Sequence, residues 1–126
     1  MKKTVLVVED NDNNLYLVTF LLEKRNLEVI AARDGPTGIA MAQQHMPALI
    51  LLDIQLPGMD GYAVAQALRA IPALNPVPIV AVSSYAMCGD RERGLAAGCN
   101  GYIEKPIDPS SFVDALMPYL EGKITP

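Results

Sequence analysis

The sequence predicts an α/β domain in which helices cover both faces of a parallel sheet. Apolar, β-rich runs recur along the chain with helical segments between them. The runs at residues 4–8, 48–52 and 78–82 are continuously apolar rather than alternating. Parallel strands buried on both faces show this continuous pattern, and each parallel connection needs a crossover, usually a helix. The length of 126 residues suits one such domain.

Five strands and five helices are expected in alternation. The strand segments are 4–8, 28–32, 48–52, 78–82 and 101–104. The second begins with a charge and ends in small residues, so it is expected at an edge of the sheet. Helices are expected from about residue 13, at 36–45, after Asp60, within the glycine-containing segment 88–98, and after 108–111. The fourth is expected to be short, because glycine weakens a helix.

Two helices carry apolar stripes at helical spacing. The members are Val64, Ala67, Leu68 and Ile71 in the third helix, and Phe112, Ala115, Leu116, Tyr119 and Leu120 in the fifth. These stripes are expected to face the sheet.

Composition argues against several function classes. The apolar runs are too short and too interrupted to span a bilayer. The net charge is −4 and no long Lys/Arg cluster is present, which argues against direct binding of nucleic acid. The N-terminal apolar run ends in acids rather than in a cleavage site, so a cytoplasmic protein with free thiols at Cys88 and Cys99 is expected.

Chemically active side chains follow the predicted strands at the edge where parallel strands end together. Glu9 and Asp10 follow the first strand, Asp53 the third, Ser83 the fourth and Lys105 the fifth. Ligands bind along this edge, so these side chains are expected to converge. Three neighbouring carboxylates repel one another and favour a bound cation. Because only oxygen ligands are available, Mg²⁺ is the expected metal.

Asp53 and Asp60 flank the same Pro-Gly turn but have different expected roles. Asp53 stands alone at the end of a central strand, and it is the expected nucleophile toward an electrophilic phosphorus, giving an aspartyl phosphate. Asp60 directly precedes a helix, and N-capping explains it. The single histidine, His45, lies at a helix end and is expected to be structural.

These motifs resemble, over essentially the whole chain, the receiver domain of two-component response regulators. The segments that carry the resemblance are VLVVEDN, LILLDIQLPGMDG, PIVAVSS and GCNGYIEKPI. The resemblance implies a flavodoxin-like, doubly wound sheet of strand order 2-1-3-4-5. It also implies a single-domain protein of the DivK-like or chemotaxis-like type. A receiver domain at residues 1–122, a short tail at 123–126 and no output domain are expected.

The resemblance implies roles for the acids around the expected phosphorylation site. Asp53 would accept a phosphoryl group from a histidine kinase or a histidine phosphotransfer protein. Glu9, Asp10, Asp53 and the backbone carbonyl of Gln55 would hold Mg²⁺. Gln55 and Tyr85 are expected to flank the path of attacking water. Such a protein catalyses its own phosphorylation and dephosphorylation and is not a conventional enzyme.

The resemblance also implies a conformational switch. Ser83 and Lys105 would contact the phosphoryl group, and Pro106 would follow a cis peptide bond. Tyr102 would move into space vacated by the Ser83 hydroxyl. This movement would change the face formed by helix 4, strand 5 and helix 5, where a downstream protein binds.

The first helix has more apolar residues than one buried face requires. Its expected buried stripe is Leu17, Val18, Leu21 and Leu22. Tyr16 and Phe20 lie on the opposite side. Together with Asn14 and Pro106, they are expected to dock a helical, histidine-bearing partner, although packing in an oligomer would also cover them.

Two other function classes fit the same topology. A flavodoxin-like flavin- or nucleotide-binding protein needs a phosphate-cradling loop after the first strand, where this chain has the acidic EDNDNN. A Mg²⁺-dependent phosphotransferase or phosphatase enzyme would want an acid two residues after its nucleophile, where this chain has Gln55. Both remain as alternatives.

Overall fold

The computed structural model describes residues 2–56, 58–83 and 90–122. Within them, strands and helices alternate along the chain as expected. The elements are β1 (Thr4–Val8), α1 (Asp12–Lys24), β2 (Glu28–Ala32), α2 (Gly35–His45), β3 (Leu49–Asp53), α3 (Gly61–Arg69), a 3₁₀ turn (Pro72–Leu74), β4 (Ile79–Ser83), α4 (Asp90–Ala97), β5 (Gly101–Glu104) and α5 (Phe112–Leu120). Tyr85, Cys88 and the tail at 123–126, which have expectations above, lie outside the described residues.

The sheet has the order β2-β1-β3-β4-β5, and all of its pairings are parallel. The expected order and the edge position of β2 are both confirmed. The register pairs Asp53 with Val82 and Ser83 with Glu104. The strands therefore end together along one edge, and the polar residues that follow them meet there.

Helices cover both faces, so the doubly wound fold is confirmed. Leu6 and Leu52 pack in one core with α2, α3 and α4, whereas Val7 and Leu51 pack in the other with α1 and α5. Successive side chains of a strand point to opposite faces, so each central strand feeds both cores. No helix in the described ranges is long and apolar enough to cross a bilayer.

The expected helix faces are partly wrong. Ala115 is exposed, because Val113 takes the buried place next to Phe112. α3 ends at Arg69, so Ile71 lies beyond the helix. The residues buried in α3 are Gly61, Tyr62, Val64, Ala65 and Leu68, and those buried in α1 are Leu15, Val18 and Leu22. Expected members Leu17, Leu21 and Ala67 are half-buried.

Candidate functional site

Asp53 is the last residue of β3, and only 3% of its surface is exposed. Its carboxylate is held by the backbone, because the Gln55 N–H donates to Asp53 Oδ1 at 2.9 Å. The neighbouring Ile54 N–H donates to the Val82 carbonyl at 3.1 Å, which extends the β3–β4 ladder past Asp53. The phosphoacceptor candidate is therefore fixed at the end of a central strand.

Asp60 has a different local role. Its side chain accepts a hydrogen bond of 2.9 Å from the Tyr62 N–H and caps α3. An acceptor side chain here satisfies one of the free N–H groups at the start of the helix. The expectation that Asp60 is an N-cap is confirmed.

Glu9 and Asp10 follow β1 and do not cap α1. Asn11 is the cap, since its side chain accepts from the Asn14 N–H at 3.0 Å. Glu9 is buried, with 4% of its surface exposed, and its Oε2 accepts from the Asn11 N–H at 3.2 Å. Asp10 is exposed. Both acids therefore remain available to the edge of the sheet.

The fold brings the acids and Lys105 together. One carboxylate oxygen from each of Glu9, Asp10 and Asp53 lies within 4.8 Å of the other two. Lys105 Nζ is 3.1 Å from Asp53 Oδ2 and 3.3 Å from Glu9 Oε1. The Lys105–Pro106 peptide bond is cis, as expected. We refer to Glu9, Asp10, Asp53 and Lys105 as the acid–lysine cluster.

Burial and mutual repulsion shift the ionisation of this cluster. Burial, together with the hydrogen bond and charge of Asp53, raises the pKa of Glu9 to about 7. Burial acts to lower the pKa of the Lys105 ammonium, but Asp53 and Glu9 outweigh it, so that pKa is raised above its usual value. The cluster holds three acids and one ammonium, and that ammonium contacts Glu9 and Asp53, so the acids outnumber the positive charge.

An apolar wall behind the cluster explains the burial of its acids. A small cavity of about 10 Å³ lies against Glu9 and Asp53. The rest of its lining is apolar side chains from the sheet and from the segments packed on it. These are Val7, Val8, Val18, Leu51, Val82, Ile107 and Phe112. Such a lining offers Glu9 no hydrogen-bond partners on this side, and this burial is the main reason that its pKa is raised.

The donor set of the cluster fits a hard divalent cation. All three candidate ligands offer carboxylate oxygens, and Mg²⁺ binds through one or two carboxylates and several waters. A cation here would offset the excess negative charge of the acids. The backbone of Gln55 lies beside the acids, since its N–H donates to Asp53. That its carbonyl is a further Mg²⁺ ligand stays a prediction.

Ser83 and Tyr102 lie on neighbouring strands of one sheet face. Ser83 is fully buried at the end of β4, and Tyr102 is half-buried in β5. The register places Tyr102 opposite Ala81, two residues before Ser83. Side chains two apart on a strand share a face, so Tyr102 lies diagonally across from Ser83. The Lys105 N–H also donates to the Ser83 carbonyl at 2.8 Å, which ties Ser83 to the lysine of the cluster.

The expected docking residues are presented by α1 and by the loop after β5. Tyr16 and Phe20 are 75% and 52% exposed, as the helical spacing predicts. Lys24 lies one turn further along the same side, with its Nζ 5.8 Å from the Phe20 ring centroid. We refer to Tyr16, Phe20 and Lys24 as the exposed stripe of α1. Pro106 is exposed and Asn14 is half-buried, with its N–H in the α1 cap.

The sequence does not predict a contact between Arg93 and Tyr62, which lie beside the site. Arg93 of α4 stacks on the Tyr62 ring and approaches Asp60, and both of these residues are at the start of α3. Sequence spacing could not reveal this contact, because the pair lies 31 positions apart on separate helices.

Comparison with known proteins agrees with this geometry. Residues 5–117 match the protein family described as the response regulator receiver domain. The polar-differentiation response regulator DivK of Brucella anthropi is 41% identical over 120 residues, which cover 95% of this chain and 98% of that protein. The chemotaxis response regulator CheY4 of Vibrio cholerae superposes with a TM-score of 0.89 at 26% identity, covering 94% of this chain and 99% of that one.

A further solved structure is informative about the metal. The receiver domain of a sensor histidine kinase from Pseudomonas aeruginosa superposes with a TM-score of 0.88 at 31% identity, covering 96% of this chain and 99% of that one. That structure is described with a magnesium ion coordinated in its active-site cleft.

Proposed function

The chain belongs to the response regulator receiver domain family, and we propose that its Asp53 accepts a phosphoryl group from a phosphohistidine of a histidine kinase or phosphotransfer protein. The observation that carries this assignment is the environment of the Asp53 carboxylate. One oxygen is held by the Gln55 N–H at 2.9 Å, and the other lies 3.1 Å from the Lys105 ammonium. A buried carboxylate held in this way is positioned for attack on phosphorus.

The proposed reaction is a transfer between two protein side chains. A carboxylate oxygen of Asp53 forms the new P–O bond while the P–N bond to the donor histidine breaks. The electron pair of the broken bond stays with the imidazole nitrogen, and the product is an acyl phosphate. The Lys105 ammonium, already 3.1 Å from Asp53 Oδ2, stabilises the negative charge of the transferred group.

The acids of the cluster are the proposed magnesium site. Glu9, Asp10 and Asp53 would hold the ion, with the backbone carbonyl of Gln55 as a further ligand. Bound Mg²⁺ neutralises negative charge on phosphoryl oxygens. Two features of the structure support this site. One carboxylate oxygen from each of the three acids lies within 4.8 Å of the others, and burial together with Asp53 raises the pKa of Glu9 to about 7.

Ser83 and Tyr102 are the proposed switch. Phosphorylation adds about −1.5 to −2 charges at neutral pH. The Ser83 hydroxyl would donate a hydrogen bond to the new group, and Tyr102 would move toward the space it leaves. Their common sheet face and diagonal register support this coupling. The surface of α4, β5 and α5 would then change, and a downstream protein would bind there.

The exposed stripe of α1 is the proposed docking site for the phosphodonor. Tyr16 and Phe20 present apolar surface on a helix whose cap, Asn11, is bonded to Glu9 of the cluster. Asn14 and Pro106 would complete this contact. The chain would thus act as a signalling regulator in the cytoplasm rather than as a conventional enzyme, without contacting nucleic acid or entering a membrane. Neither the flavin-binding nor the phosphatase alternative is favoured by the comparisons.

The test is intact mass after incubation with Mg²⁺ and acetyl phosphate. Wild type is expected to gain one phosphoryl group, and omission of Mg²⁺ or the substitution Asp53→Asn is expected to prevent the gain. Asp60→Asn is the matched control, because asparagine is also a good N-cap and leaves the acceptor unchanged. An unmodified wild type, or a modified Asp53→Asn variant, would contradict the assignment.

A further inference from the structure

α4 buries little apolar surface. Among its described side chains, Ala97 is buried, whereas Glu92, Arg93 and Ala96 are exposed and Leu95 is 51% exposed. The other buried position is Gly94, which has no side chain. Because hydrophobic stabilisation scales with the apolar area removed from water, a few specific contacts must contribute much of what holds this helix.

One of these contacts joins α4 to the start of α3. The Arg93 guanidinium carbon lies 4.3 Å from the centroid of the Tyr62 ring, and Arg93 Nη2 lies 3.8 Å from Asp60 Oδ2. The Tyr62 ring is buried, with 7% of the residue exposed. Gly94 lies next to the ring, and a Cβ there would lie 3.9 Å from Tyr62 Cε1, at ordinary contact distance. The ion pair is exposed and weak, so the stacked ring provides most of the attraction.

The residues that Arg93 contacts are linked directly to the backbone of the phosphoacceptor. Gly61, between Asp60 and Tyr62, donates its N–H to the Ile54 carbonyl at 3.1 Å. A Cβ on Gly61 would lie 2.4 Å from Ile54 Cα and 2.8 Å from the Asp53 carbonyl oxygen. No space separates the start of α3 from the end of β3. Arg93 therefore connects α4 to the segment that carries Asp53.

The other end of α4 is anchored more firmly. Arg69 donates to the Gly98 carbonyl at 2.8 Å and to Asn100 Oδ1 at 2.7 Å. Asn100 is in turn bound to the backbone of Ile79, at the start of β4, through a bond of 2.7 Å. The C-terminal end of α4 is thus tied to the sheet by several hydrogen bonds, whereas Arg93 is a single exposed side chain.

We propose, building on the function proposed above, that Arg93 is a latch for α4. Its contact with Tyr62 and Asp60 holds α4 against α3 in the unphosphorylated protein. Its release lets α4 swing about the end that Arg69 fixes. The latch therefore sets how much of the unphosphorylated protein already presents the altered α4 surface. Arg93 is a positioning residue, since it contacts α3 and not the reacting group.

The first test is hydrogen exchange of the α4 amides in the unphosphorylated protein. A cation–π contact of this kind corresponds to about 2- to 5-fold in an opening equilibrium. Arg93→Ala is expected to speed exchange by that factor, and Tyr62→Leu, which removes the ring together with the other contacts of Tyr62, by at least that factor. Gly94→Ala is expected to slow exchange, because the added methyl makes ordinary contact with Tyr62 and favours the helix.

The second test is the rate of phosphorylation by acetyl phosphate and Mg²⁺ in the same variants. In this proposal the released state is the one that reacts, so the phosphorylation rate is proportional to the population of that state in the unphosphorylated protein. Arg93→Ala is expected to react about 2- to 5-fold faster than wild type. Gly94→Ala is expected to react more slowly.

The outcomes separate the latch from the function on which it builds. Unchanged α4 exchange in Arg93→Ala, an exposed position where the variant retains the fold, would overturn the latch. Faster exchange with an unchanged phosphorylation rate would also overturn it, because the contact would then be merely structural. A wild type that takes up no phosphate would instead refute the proposed function, and with it the switching role, whatever the exchange data show.

Discussion

Replacing Glu9 with Gln should change how the stability of the metal-free protein depends on pH. Burial and the neighbouring Asp53 raise the pKa of Glu9 from 4.5 to about 7. The folded state therefore holds this proton more tightly than the unfolded chain does. The stabilisation is fully present below about pH 4.5 and is lost as pH rises through about 7. At about 1.4 kcal/mol for each pKa unit, the loss amounts to roughly 3 kcal/mol.

The assay is urea unfolding of wild type and Glu9→Gln between pH 5 and pH 8 in the presence of a chelator. The amide cannot ionise, so the variant should gain on wild type as pH rises, with the difference in unfolding free energy growing by about 2–3 kcal/mol between pH 5 and pH 8. Glu23→Gln, at an exposed position of α1, controls for the loss of one negative charge and should show no such growth.

Added Mg²⁺ should reverse this trend for wild type. A cation bound by the cluster competes with the proton on Glu9, so it should stabilise wild type more at pH 8 than at pH 5. Parallel curves for wild type and Glu9→Gln in the chelator would refute the reasoning, as would a wild type that gains on the variant with rising pH.

Three further substitutions test separate parts of the site. Phe20→Ser should slow phosphotransfer from a histidine-bearing partner and leave labelling by acetyl phosphate unchanged; equal loss in both assays would remove α1 as the docking surface. Lys105→Met removes an ammonium 3.1 Å from Asp53 that repels a cation in the cluster. Calorimetry should show that Mg²⁺ binds tighter by on the order of tenfold, while phosphorylation slows. Weaker Mg²⁺ binding would contradict the repulsion between Lys105 and the cation. Gly61→Ala places a Cβ 2.4 Å from Ile54 Cα, so the backbone must move. Urea unfolding should show a loss of stability of about 1–3 kcal/mol or more. An unchanged stability would mean that α3 and β3 are packed less tightly than described.

The strands and the acids of the site could be predicted from sequence because each rests on a local signal. Continuous apolar runs mark the central strands, and the polar residues that end them must meet at one edge of a parallel sheet. Asp53 and Asp60 could be told apart by their neighbours alone: one ends an apolar run and the other starts a helical one.

The parts that could not be predicted depend on contacts between distant segments. The buried face of α5 includes Val113 instead of Ala115, and short helices leave that choice to the elements they pack on. The raised pKa of Glu9 comes from Asp53 and from burial to which β3, β4 and α5, all distant in sequence, contribute. The contact of Arg93 with Tyr62 joins two helix surfaces whose sequences show no pairing signal.

Chemical identification of the phosphorylated side chain is the most direct measurement. Borohydride reduces an acyl phosphate of aspartate to homoserine, so peptide mapping after Mg²⁺, acetyl phosphate and borohydride locates the acceptor. Homoserine is expected at position 53 and at none of Asp10, Asp12 or Asp60. Conversion at one of those three aspartates, with Asp53 intact, would contradict the placement of the acceptor beside Lys105.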